Sequence, residues 1–205
     1  MKSEMKENLS LLEMLLVLKT TFAGHFHILK GNHENVLNEM SVKPYGNVPF
    51  RKFCDEGNMV ADFLQSYYDD LILHEISCFE KSLPVCAVFD SCIVSHAEPA
   101  QVYTRKEIIN YHEKESSVVF GLTWTANGKA DENSVGKTIR NLVGRKKAKN
   151  YVWLGGHRPV AGKYAFRQDG RYIQIHNPEE ENIAVVSPER KFNPLEDIVN
   201  VEKIG

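Results

Sequence analysis

The chain has 205 residues, 42% of them hydrophobic, with a formal net charge of -2 and a pI near 6.5, so it is long enough for one domain with a sizeable core. Near-neutral charge gives no electrostatic case for nucleic acid as a main partner or for binding to an anionic membrane. The most apolar N-terminal run, residues 11–18, is interrupted by Glu13 and falls far short of the ~20 residues that span a bilayer.

In chain order, residues 5–23 place Met5, Leu9, Leu12, Leu15 and Leu16 at the three- and four-residue spacing of a helix, with Gly24 expected to end it. A short strand is expected over 27–30, running into Gly31-Asn32-His33-Glu34. Residues 36–50, with Pro44, Gly46 and Pro49, read as a loop. Residues 53–68 have helical spacing through Val60, Phe63, Leu64 and Tyr67, and 71–79 fits either a short helix or a strand. The runs 85–89 and 92–95 bracket Asp90-Ser91 as a tight hairpin whose second strand leads into His96. Thr104 and Glu107 have the spacing of a capping box opening a helix over 104–114. Residues 118–124 are expected as a strand and 134–142 as a helix. Residues 151–154 form a strand ending at Gly155-Gly156-His157, and 164–167, 172–176 and 183–186 are spaced as an antiparallel meander. The basic run 144–149 reads as a solvated helix end, where cations meet the negative end of the dipole. Residues 188–205 are expected as a C-terminal surface extension of a domain over 1–187.

The four cysteines, Cys54, Cys78, Cys86 and Cys92, form no CxxC pair. Free thiols in a reducing cytoplasm are the better reading than disulfides. Cys86 and Cys92, facing each other across the hairpin, are the one pairing to check. Strands alternating with helices give an α/β layered class.

Three predicted strands thus end at loops bearing a histidine: His33, His96 and His157. If those strands share a sheet, the loops gather at one edge, where open α/β sheets bind ligands. Three imidazoles and the Asn32 amide suit borderline divalent metals.

Four stretches carry a resemblance. "LKGNHENV" resembles the GNH[ED] motif of the metallophosphoesterase, or calcineurin-like, superfamily. "CFEKSLPVCAVFDSCIVSHAEPA" is similar to its phosphoprotein phosphatase branch, which includes the Ser/Thr phosphatases. "WLGGHRPV" matches a third motif, a strand ending in Gly-His, and "YIQIHNPEEENIAVV" resembles the branch's closing strands. The likeness covers about residues 9–186. It implies an incomplete αββα sandwich with mixed sheets and flanking helices. It implies hydrolysis of phosphate esters by a hydroxide activated by two divalent ions of manganese, iron or zinc. Asn32 would be a ligand through its amide oxygen, and His96 and His157 would ligate one metal each. His33 would protonate the leaving oxygen, with Glu34 positioning its ring. Arg158 and Arg167 are the candidates for contacting a phosphorylated substrate.

The family's GDxH and GDxxD motifs are absent, and no Gly-Asp dipeptide occurs anywhere. Without the bridging carboxylate, two dications would face each other with little negative charge between them. The expectation is therefore an N-terminally truncated phosphatase. The main alternative is a non-catalytic binding or scaffold relative with a partial metal site; a lesser one is a three-ligand site with Asn32, His96 and His157 around one ion. Weak hydrolysis and self-association through an exposed sheet edge follow from either.

Overall fold

A computed structural model describes residues 2–37, 56–112 and 117–201. They fall into two compact units, one of residues 2–29, 33–37 and 56–84, the other of residues 30–32, 85–112 and 117–201.

The first unit is helical. Helix α1 spans Lys2–Thr21, as the leucine spacing requires. It ends three residues before Gly24, and Lys19 Nζ donates to the carbonyls of Ala23 at 3.1 Å and Phe26 at 2.8 Å, a basic side chain satisfying acceptors past the last turn. Residues 27–30, expected as a strand, carry no regular structure. A four-residue run is a strand only through its ladder neighbours, and local sequence does not specify them. Helix α2 spans Glu56–Tyr67 and α3 spans Asp70–Ser82, which settles residues 71–79 as helix. Asp69 caps α3, its Oδ1 accepting from Ile72 N at 2.9 Å, an N-cap that satisfies one of the helix's orphan donors. Val36, Phe63, Leu64 and Leu73 form the buried core of this unit. Val36 N donates to Glu80 Oε2 at 2.6 Å, tying the segment after His33 to α3. The rest of the loop expected at 36–50, and residues 53–55, lie outside the described residues.

The second unit is built on a mixed five-stranded sheet, with flanking helices, in the order β1-β2-β3-β5-β4. Strands β1 (Cys86–Val88) and β2 (Cys92–Ser95) form the expected hairpin, closed by Phe89 N donating to Cys92 O at 2.8 Å. Cys86 sits opposite Ser95 rather than Cys92, and Cys78, Cys86 and Cys92 are free thiols. Burial pushes the Cys86 and Cys92 thiols up to about 11. Helices α4 (Arg105–Ile109), α5 (Ser117–Thr123), α6 (Ser134–Val143) and α7 (Arg145–Ala148) follow β2. They form a crossover to β3 (Val152–Gly155), which lies parallel to β2. The Thr104 capping box is present, and α4 ends at Ile109.

Residues 118–124, expected as a strand, are helical as far as Thr123, the last residue of α5, and Trp124 follows in a turn. A short run that is almost wholly apolar lacks the alternation that separates strand from helix. The helix's Gly121 and Leu122 carbonyls accept from Ala100 N at 3.0 Å and Ala97 N at 2.8 Å. Gly121 also lets the Tyr103 phenol approach, since a Cβ there would lie 1.7 Å from Tyr103 Oη.

Strand β4 (Ala165–Arg167) pairs antiparallel with β5 (Tyr172–Gln174), itself parallel to β3. The expected third member of this meander leaves it. Strand β6 (Asn182–Ala184) pairs instead with β7 (Ile198–Asn200) in a second sheet. Asn177 Oδ1 accepts from Glu179 N at 2.9 Å, and Asn182 Nδ2 donates to Lys163 O at 3.0 Å. The first is a side-chain turn that redirects the chain after β5, and the second ties the start of β6 to the loop before β4. Residues from 188 onward, expected as a surface extension, contribute helix α8 (Pro194–Asp197) and β7. They bury Phe192 and Ile198 with Cys92, Leu154 and Ile173 in the core on one face of the sheet. Apolar residues spaced among polar ones hid that packing from a composition-based reading.

Candidate metal centre

His96 follows the last residue of β2, and His157 follows Gly155-Gly156 at the end of β3. These are adjacent parallel strands, so both loops open at the same edge. Ser95 Oγ accepts from Trp153 Nε1 at 2.7 Å and donates to Ala97 O at 2.6 Å, which fixes the exit of β2 against β3. Gly156 N donates to His96 O at 2.9 Å, joining the two loops through the backbone. Gly155 has to be glycine: a Cβ there would lie 2.3 Å from Tyr172 Oη and 3.0 Å from Ser95 O. His157 has φ 62, a left-handed conformation that a non-glycine residue adopts at a cost of ~1–3 kcal/mol and that clusters at functional sites.

The consequence is that His96 Nε2 and His157 Nδ1 face each other at 3.1 Å, with ring centroids 5.1 Å apart. Imidazole holds a divalent ion such as zinc at about 2.1 Å. Nitrogens this close form a hydrogen-bonded pair, and each ring is of the kind that ligates such an ion. The Trp124 ring, delivered by the end of α5, meets His157 edge-on at a centroid distance of 6.3 Å. Among the described residues, no group of three or more His, Cys, Asp or Glu side chains gathers to hold an ion. Neutral donors alone tolerate one dication better than two.

The other expected residues are distributed as follows. Asn32 is buried and belongs to the same unit as the histidine pair. His33, exposed, and Glu34, half-buried, belong to the helical unit. Arg158 is exposed, and its carbonyl accepts from the buried Gln174 side chain. Arg167 lies on β4 opposite Tyr172, at the start of β5, and its Nε donates to Glu98 Oε2 at 2.8 Å. Asp90 occupies the turn at the far end of β2 from His96, as expected. Glu98 and Trp124 escaped the sequence reading. Glu98 stands two residues after His96, and its burial beside Arg167 is a property of packing that local sequence does not announce.

No protein-family model matches the chain, and no curated protein matches it by sequence. Among solved structures it is similar to a protein serine/threonine phosphatase from Saccharomyces cerevisiae with similarity to human phosphatase PP5, at a TM-score of 0.54 and 18% identity. The fold is phosphatase-like. The likeness covers 81% of this chain and 52% of the yeast phosphatase chain. At that identity the shared property is the α/β architecture: a mixed sheet flanked by helices. In this chain the ends of β2 and β3 in that sheet carry His96 and His157.

Proposed function

We propose that this chain is a phosphatase-like protein whose His96–His157 pair holds one divalent ion, manganese, iron or zinc, and supports hydrolysis of phosphate monoesters. The 3.1 Å approach of the two imidazole nitrogens at adjacent strand ends carries this reading. An ion there supplies Lewis-acid polarisation of the phosphoryl group. The chain's own part is to hold two ring nitrogens in fixed directions. The Ser95–Trp153 bond, the left-handed backbone at His157 and the Trp124 ring do this. Asn32 is the proposed amide ligand, and His33 with Glu34 the proposed proton donor, both on the motif resemblance. Arg158 is the better substrate contact of the two arginines, because Arg167 is committed to Glu98. A second reading, a non-catalytic binding relative, draws on the absence, among the described residues, of a third His, Cys, Asp or Glu ligand beside the pair.

The test is hydrolysis of an aryl phosphate with and without manganese or zinc, alongside calorimetric metal binding. We expect binding near one ion per chain and slow turnover. His96→Ala and His157→Ala should abolish both, whereas His33→Ala should abolish turnover and leave binding intact. Metal binding without turnover selects the binding relative. Metal-stimulated turnover untouched by His96→Ala overturns the site.

A further inference from the structure

The strongest unassigned feature is a face of one charge. From Asn133 to Gln168 the sequence has nine lysines and arginines and no aspartate or glutamate, in a chain whose net charge is -2. Lys137, Arg140, Arg145, Lys146, Lys147 and Lys149 are exposed on α6, α7 and the turn after it. Among the described residues no ion pair reaches any of the six. The cations also converge in space. Arg171, at the entry to β5, donates through Nη2 to the Ala148 carbonyl of α7. Its pKa is lowered by burial and then by the nearby Arg140 guanidinium. Like charges gathered this way repel each other and cost stability, a cost that interspersed carboxylates would remove.

The helix dipole accounts for only part of the cluster. Arg140 and Arg145 to Lys147 lie in the last turns of α6 and α7, where the dipole favours cations, but Lys137, on the first half of α6, lies in neither. Nor is the face an extension of the histidine site. It directly precedes β3, whereas His157 follows the other end of that strand, about 13 Å of strand away.

We propose that this face docks an acidic segment of a partner protein, rich in aspartate, glutamate or phosphoserine. The two arginines offer planar forks that match carboxylate and phosphate oxygens, and the lysines add point charges. Nucleic acid fits less well, because no aromatic side chain lies between residues 133 and 150 to stack a base. A membrane fits less well because Val135, Ile139 and Ala148 are buried and none of the exposed side chains of α6 and α7 is apolar.

The experiment is fluorescence anisotropy with the full chain and a fluorescein-labelled peptide of alternating glutamate, aspartate and serine. The expected result is binding that weakens steeply as salt rises towards physiological strength. The charge reversal Arg145→Glu/Lys146→Glu/Lys147→Glu should weaken it by at least about tenfold. The milder Lys146→Gln/Lys147→Gln should give an intermediate loss at an unchanged melting temperature, and it decides the matter if the triple variant does not fold. His96→Ala should bind the peptide as the parent does, which separates this face from the metal centre. Equal binding by a folded reversal variant overturns the proposal. So does displacement of the peptide by a DNA duplex or an anionic phosphatidylserine vesicle that binds more tightly than the peptide.

Discussion

Gly155 shows how closely the backbone is fitted where the sheet meets the histidines. A methyl group there would collide with the Tyr172 hydroxyl and, at 3.0 Å, with the Ser95 carbonyl, which is backbone in the strand leading to His96. The phenol can tilt, but the carbonyl cannot move without disturbing β2. Gly155→Ala should therefore cost about 2 kcal/mol, as overpacking does, read as a lower urea midpoint. Gly24→Ala is the matched control: nothing lies within 4 Å of its added Cβ, so it should stay within about 0.5 kcal/mol of the parent. Placement at this scale was partly legible in the sequence. Two histidines after strand-like runs were expected at one edge of a shared sheet and stand there, because a strand's end fixes where its loop begins. The left-handed backbone of His157, the edge-on Trp124 ring and the Glu98–Arg167 pair were not legible. Each depends on a partner dozens of residues away.

At the level of elements, the sequence told most where a local signal was decisive and least where the partner was remote. The Thr104 capping box and the Asp90-Ser91 turn are local, and both formed as spaced. Helix α5 and strand β6 were set by distant groups: the loop after β2 uses the α5 carbonyls, and β7 supplies the only ladder β6 makes among the described residues. The α8–β7 segment is held by one buried carboxylate. Asp197 accepts from the Arg190 guanidinium and, at 2.7 Å, from Asn193 N. Burial pushes the Asp197 pKa up, but the Arg190 and Asn193 hydrogen bonds outweigh it and hold the carboxyl below the usual range. A group depressed in the folded state adds stability that is present above its unfolded pKa of about 3.9 and is lost as pH falls through the folded value. Asp197→Asn should accordingly lower the urea midpoint at neutral pH and flatten its decline below about pH 5. A parallel decline in parent and variant would remove Asp197 from the acid response.

For the whole molecule, the two units have separate cores, so a single melting temperature need not describe the chain. The two tryptophans, Trp124 and Trp153, both belong to the unit built on the sheet. Tryptophan fluorescence therefore reports the unfolding of that unit alone, and it is the unit that carries His96 and His157. An ion that binds only the native pair stabilises it by mass action, about 2.7 kcal/mol when the free ion is a hundredfold above its dissociation constant. Adding manganese or zinc to chelator-stripped protein should raise the fluorescence melting temperature by several degrees, in line with a gain of that size. The shift should grow with ion concentration and vanish in His157→Ala. Trp124 lies edge-on to His157, so its emission should also change on titration below the melting range, before any unfolding. An unshifted transition, with no change in emission, would mean that the two imidazoles face each other as a hydrogen-bonded pair and hold no ion.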